Sequence, residues 1–240
     1  MSEGLATVAI LMPAYEERAA LGPTLASLRE AARGALDVTV FVVDDGSEPA
    51  LAIDHDLPRP GFAIVVARHA INLGQGAALE TARNLALAGA RFDAYVTMDA
   101  DGQHGADDAL ALATRVLGGA DVVFGDRFGG GSNVPTLRAL VLRAARIFEW
   151  AATGLFLADA HNGLRAFSRR ALERIPIQQN GMAHATEIRQ RVARAGLAVV
   201  EAPVSVRYSD ATLAKGQRTS GAIGILQDLA LQYLFGEPGR

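Results

Sequence analysis

The chain predicts an α/β fold built on an open, mostly parallel central sheet flanked by helices. Short β-branched runs recur with helix-length segments between them, and each run stops at a polar or proline-bearing loop. A third observation is where the chemistry falls. Every polar signature in the first half sits at the carboxyl end of a strand, where open α/β sheets bind their ligands.

The first strand is Thr7-Val8-Ala9-Ile10-Leu11-Met12, stopped by Pro13. Residues 16–33 follow with helical spacing. Val38-Thr39-Val40-Phe41-Val42-Val43 is a second buried run, stopped by Asp44-Asp45-Gly46-Ser47. The third, Phe62-Ala63-Ile64-Val65-Val66-Ala67, leads into Asn72-Leu73-Gly74-Gln75-Gly76, and residues 76–91 again read as a helix. A fourth run carries Asp99, and Val122-Val123-Phe124 reads as one more strand. The expected order is βαβαβαβ, with four loops converging on one cleft.

Composition narrows the function. At 240 residues and half hydrophobic, the chain can bury a substantial core, and a net charge of −3 argues against wholesale binding to nucleic acid. Having no cysteine, it offers no disulfide, thiolate zinc site or cysteine nucleophile. No export signal opens the chain and no apolar run reaches membrane-spanning length, so a cytoplasmic location is expected.

Val96-Thr97-Met98-Asp99-Ala100-Asp101-Gly102-Gln103-His104 carries the strongest chemical signal. In an extended run Asp99 and Asp101 project the same way, giving two hard oxygen ligands on one face. Such a pair suits Mg²⁺ or Mn²⁺, which leave positions open for substrate phosphate oxygens. Gln103 can add a neutral oxygen, and His104 can ligate or support. A polar turn is the plainer reading of the same residues. Asp44 or Asp45 would accept hydrogen bonds from a base or ribose, though for this loop taken alone turn chemistry with Ser47 as a helix cap is the favoured reading. Asn72 to Gly76 is not the dinucleotide fingerprint, because Leu79 stands where its third glycine belongs. Ala214-Lys215-Gly216-Gln217 lacks the context of a P-loop. Hydride transfer and nucleotide hydrolysis are thereby weakened.

Six segments, Ile10 to Glu17, Val42 to Ser47, Asn72 to Gly76, Met98 to His104, Gly125-Asp126-Arg127-Phe128 and Asp159 to Phe167, resemble in order and spacing the family 2 inverting glycosyltransferases. The likeness is greatest to the dolichyl- or polyprenyl-phosphate sugar synthase branch and spans about residues 6–210. It implies a single GT-A domain, with residues 6–125 as the nucleotide-sugar half and 126–210 as the acceptor half. It assigns Pro13, Ala14, Tyr15 and Glu16 to the nucleotide pocket, Asp44 and Asp45 to base and ribose, and Asn72 and Gly76 to the donor loop. Asp99, Asp101 and Gln103 match the branch's metal-binding DXD positions, implying Mg²⁺ or Mn²⁺. Arg127 and Arg138 match basic positions near donor or acceptor phosphates, a role that suits arginine's planar fork.

Asp159 falls where the family places a carboxylate facing the reacting centre, to take a proton from the acceptor or orient it, with His161 beside it. Sugar-acceptor members carry an acidic pair farther on, whereas Thr186-Glu187-Ile188 offers Glu187 alone. A phosphate monoester is largely ionised at neutral pH and needs little help from a base, so the departure favours a polyprenyl phosphate acceptor over a sugar hydroxyl of an envelope polysaccharide. Lys215 and Arg218 carry the right charge to close over a diphosphate. In 211–240 a loop precedes an amphipathic helix, residues 222–235, whose apolar stripe suits the core, a second copy in a homodimer, or a membrane surface. Residues 222–235 contain no Lys or Arg, which favours the first two. Members of the branch often continue into transmembrane helices; this chain stops at Arg240. A lipid acceptor would then call for peripheral attachment at the inner face of the membrane or a membrane-protein partner.

Overall fold

The computed structural model describes residues 4–54, 58–127, 129, 150, 155, 157–159, 162–181 and 183–206. They form β1 (Thr7–Ala14), α1 (Leu21–Ala32), β2 (Asp37–Asp44), β3 (Phe62–Arg68), α2 (Gln75–Ala88), β4 (Ala94–Thr97), α3 (Ala106–Leu117), β5 (Val122–Asp126), β6 (Arg165–Phe167), α4 (Arg169–Arg174), α5 (Ala183–Arg194) and β7 (Val199–Pro203). The seven strands make one sheet in the order β3-β2-β1-β4-β6-β5-β7. Only β6 runs antiparallel to its neighbours, β4 and β5. The predicted mostly parallel α/β sheet is present.

Alternation along β1 divides the core in two. Val8, Ile10 and Met12 pack with Leu25 and Leu28 of α1 and Leu112 of α3, while Ala9 and Leu11 face Leu79 of α2, Phe167 and Ile188 of α5. Both faces of β1 are therefore buried, which is why it reads as a continuous apolar run. Strand β3 lies at the sheet edge and leaves Val65 and Val66 exposed.

Three local expectations need correction. The described part of the β2–β3 connection contains no helix, so the pattern is not a strict βαβαβαβ. Pro49, Pro58 and Pro60 lie in that connection and withhold amides a helix would need. Helix α1 starts at Leu21, not near residue 16, because Glu16 adopts φ 58°. Strand β4 ends at Thr97 and the chain turns through Gly102 at φ 74°, so a turn, not the pleat of a strand, sets Asp99 and Asp101 together. The helix expected over 222–235 lies outside the described residues.

Candidate active site

Parallel strands β1, β2, β3 and β4 end on the same side of the sheet, and their loops enclose a cleft of about 400 Å³. Pro13, Ala14 and Tyr15 come from the end of β1, Asp45 from β2, Asn72, Gly74 and Gln75 from the β3–α2 turn, and Asp99 and Asp101 from the loop after β4. The structure thus brings most of the predicted donor residues to one place. Glu17 joins this lining, whereas Glu16 and Asp44 do not.

Asp44 organises a loop. Its Oδ1 accepts from the Ser47 amide at 2.9 Å and its Oδ2 from the Leu51 amide at 3.0 Å, with Arg68 Nε 3.5 Å away. Burial works against its ionisation, but Ser47, the Leu51 amide and the Arg68 charge outweigh it and hold the carboxyl below the usual range. Ser47 Oγ in turn accepts from the Glu16 amide at 2.9 Å. The Glu16 carboxylate is paired with Arg18, which lowers its pKa, and accepts from the Glu48 amide.

Asp45 ties two loops together. Its oxygens accept from the amides of Leu73 at 3.0 Å and Gly74 at 2.7 Å, and His69 Nδ1 lies 2.6 Å from Oδ1. This carboxylate is 2% exposed. The Leu73 and Gly74 amides and the His69 ring thus occupy three of its acceptor positions, while Asp45 still lines the cleft. Gly76 is buried at the start of α2, against the carbonyl of Gln179.

The two carboxylates after β4 stand at the cleft with Ala100 buried between them. Gln75 Nε2 donates to Asp99 Oδ1 at 2.8 Å, and His104 Nε2 is 3.8 Å from Asp99 Oδ2. Asp101 accepts from the Gln103 amide at 2.9 Å and from Gln103 Nε2 at 2.6 Å. Burial, reinforced by the Asp99 charge, pushes the Asp101 carboxyl above its ordinary value, although the Gln103 bonds oppose it. Burial pushes His104 down, Arg127 and Arg165 add to the effect, and the two aspartates oppose it. This donor set fits a hard divalent cation: two carboxylates crowd one turn, and a positive ion would offset both the burial and the Asp99 charge that make Asp101 reluctant to ionise. Among the described residues, no three His, Cys, Asp or Glu side chains cluster as a ready-made cage.

Beyond the β5 end, Asp159 Oδ2 accepts from Arg127 Nε at 2.5 Å, from the Arg127 amide at 3.2 Å and from Asn162 Nδ2 at 3.3 Å. Asp159 is 4% exposed. Arg165, on β6, is fully buried, with Nε and Nη1 lacking a hydrogen-bond partner among the described residues. Burial pushes its pKa down to about 10, neighbouring Arg189 adds to this, and Asp99 and Asp159 pull the other way. Arg165 is thus a buried counter-charge to both Asp99 and Asp159. Its only mark in the sequence was its place in the Asp159–Phe167 segment.

Glu187 lies on α5 and is not part of the cleft lining. Its Oε2 accepts from the amides of Gln178 and Gln179, both at 2.8 Å, and its Oε1 pairs with Arg191. Arg138, His161, Lys215 and Arg218 lie outside the described residues. Sequence reasoning missed Asn180, whose side chain reaches the β3–α2 turn; the Asn180-Gly181 pair signals a turn, but its partner is 107 residues away.

Comparison with known proteins agrees with this geometry. Residues 9–176 match the model of glycosyl transferase family 2. The chain is 30% identical over 238 residues to the undecaprenyl-phosphate mannosyltransferase of Micrococcus luteus, covering 90% of this chain and 89% of that one. It is 29% identical over 205 residues to the polyprenol monophosphomannose synthase of Mycolicibacterium smegmatis, covering 82% and 76%. A crystal structure of glucosyl-3-phosphoglycerate synthase from Mycobacterium tuberculosis, in complex with Mn²⁺, uridine-diphosphate-glucose and phosphoglyceric acid, matches with a TM-score of 0.58 at 21% identity. That match covers 94% of this chain and 80% of the other, and at such identity it speaks to the fold alone. The strand-end cleft, the ordered run of segments and a family match over most of the length converge on one conclusion: this chain is a glycosyltransferase of the GT-A fold and belongs to glycosyl transferase family 2.

Proposed function

We infer that the enzyme transfers a sugar, with inversion, from a nucleoside diphosphate sugar to the phosphate of a polyprenyl phosphate, in the presence of Mg²⁺ or Mn²⁺. The observation that carries this reading is the meeting of four strand-end loops in one cleft that presents Asp99 and Asp101 together. Pro13, Ala14, Tyr15, Asn72 and Gly74 supply walls for the nucleotide. Asp99 and Asp101, with Gln103, would hold the divalent ion, which when bound neutralises the diphosphate and stabilises its departure.

The acceptor oxygen attacks the anomeric carbon in line as the bond from that carbon to the diphosphate oxygen breaks. The electron pair leaves with the nucleoside diphosphate, so the configuration inverts. A phosphate acceptor arrives ionised, and the chain's task is to place it and balance its charge. Asp159 serves that task by holding Arg127, whose guanidinium faces the developing charge. Glu187 acts by bracing the 178–179 amides. Arg138 and His161 are assigned to the phosphates and acceptor by the sequence resemblance and Lys215 and Arg218 to the diphosphate by their charge, and the names of the Micrococcus and Mycolicibacterium relatives support the acceptor class. Among the described residues, no helix is long and apolar enough to cross a membrane. Peripheral attachment to the inner face of the membrane fits a lipid acceptor.

The test is transfer of labelled sugar from UDP-, GDP- and dTDP-sugars to a short polyprenyl phosphate, or to free sugars, with Mn²⁺ or with chelator. Metal-dependent labelling of the lipid phosphate is expected. Labelling of sugars alone would move the assignment to polysaccharide synthesis.

A further inference from the structure

The N-terminus of α2 is capped by a residue from the other half of the chain. Gly74 occupies the cap position and has no side chain to offer. Asn180 takes over: its Oδ1 accepts from the Ala77 amide at 2.9 Å, the first-turn donor a local cap would satisfy. Its Nδ2 donates to the Leu73 carbonyl at 2.6 Å, so one side chain grips both arms of the turn. The glycines of this loop make room for that grip. A Cβ on Gly74 would stand 3.1 Å from Asn180 Oδ1, and one on Gly76 would stand 2.0 Å from the Gln179 carbonyl oxygen.

The gripping segment is itself held. Glu187 accepts from the amides of Gln178 and Gln179, Arg191 spans Glu187 and Gln178, and Glu80 Oε2 accepts from the Ile177 amide at 2.8 Å. On the other side of the turn, Gln75 continues to Asp99. Hydrogen bonds joined by short stretches of backbone therefore lead from α5 through Asn180 and Gln75 to a carboxylate of the cleft.

We propose that Asn180 is a positioning residue for donor binding: it sets the β3–α2 turn so that Asn72 and Gln75 face the nucleotide and Asp99 is held for the metal. The proposal rests on the reading of this cleft as the donor site. Asn180 is exposed and touches no reacting atom in this scheme; it acts through the turn.

The experiment is calorimetric titration of the wild-type protein, Asn180→Ala, Asn180→Asp and Arg170→Ala with UDP, GDP and dTDP, each with Mn²⁺, well below every variant's melting temperature. Asn180→Ala removes both bonds and is expected to weaken binding of the preferred nucleotide by about tenfold. Asn180→Asp keeps the acceptor for Ala77 but loses the donor to Leu73, and should fall between the two. Arg170→Ala lowers the melting temperature from a site outside the cleft and should leave nucleotide affinity unchanged. Wild-type affinity in folded Asn180→Ala would overturn the positioning role while leaving the donor reading intact. Failure of the wild-type protein to bind any of the three nucleotides would overturn the donor reading and the proposal with it.

Discussion

Gly163 packs against the Asp99 carboxylate so closely that a Cβ on Gly163 would stand 2.5 Å from Asp99 Oδ2. The same residue's carbonyl accepts from Thr97 Oγ1 at 2.8 Å, locking the approach to β6 against the end of β4. Gly163→Ala should therefore push the Asp99 carboxylate out of place. We expect a stability loss of roughly 1–3 kcal/mol together with weaker Mn²⁺-dependent nucleotide binding. Urea unfolding and calorimetry separate the two effects; unchanged binding would show that Asp99 has room to move without consequence.

The carboxylates of the two halves have separable duties in the proposed scheme. Asp101→Asn should abolish metal-dependent donor binding. Asp159→Asn should leave donor binding intact and slow transfer, because it loosens Arg127 and not the nucleotide walls. Transfer at the parental rate by Asp101→Asn would refute the metal assignment.

Gly46 is constrained twice. Its φ of 77° is unfavourable for any L side chain, and a Cβ would lie 2.4 Å from the Ile71 carbonyl carbon. Gly46→Ala should cost roughly 2–6 kcal/mol from backbone strain and overpacking together. Denaturant unfolding followed by circular dichroism measures this, and a loss below 1 kcal/mol would mean the two loops part easily.

Arg170 supplies an acid-sensitive tie. It pairs with Asp121, which also accepts from the Ala198 amide, and Arg170 chiefly holds the Asp121 carboxyl below its ordinary value against the effect of burial. A carboxyl whose folded pKa is depressed contributes stability above the unfolded value of about 4 and loses it as pH falls through the folded value. The difference in melting temperature between wild type and Arg170→Ala should thus be constant above about pH 5 and shrink below about pH 4. A difference that grew on acidification would reverse the sign and exclude this ion pair as the cause.

Much of the donor side was legible because its signals are local. An apolar run followed by proline, glycine or paired aspartates announces both a strand and the loop at its end, and Thr7–Ala14, Asp37–Asp44 and Phe62–Arg68 lie where those runs stand. Their parallel order then forces the loops to one side of the sheet. Asp44 and Asp45 show the limit of such reading: nothing in the sequence tells that their carboxylates accept from the amides of Ser47, Leu51, Leu73 and Gly74.

By itself, the sequence determined the α/β class, the positions of the main strands, the family and the convergence of the polar loops, since these follow from hydrophobic periodicity and the order of short segments. Only the tertiary structure decided that β6 enters antiparallel between β4 and β5, that Arg165 is buried beside Asp99 and Asp159, and that Asn180 caps a helix 103 residues before it. These features join residues distant along the chain, and a hydrogen bond or buried charge formed on folding leaves no periodicity in the sequence at either end.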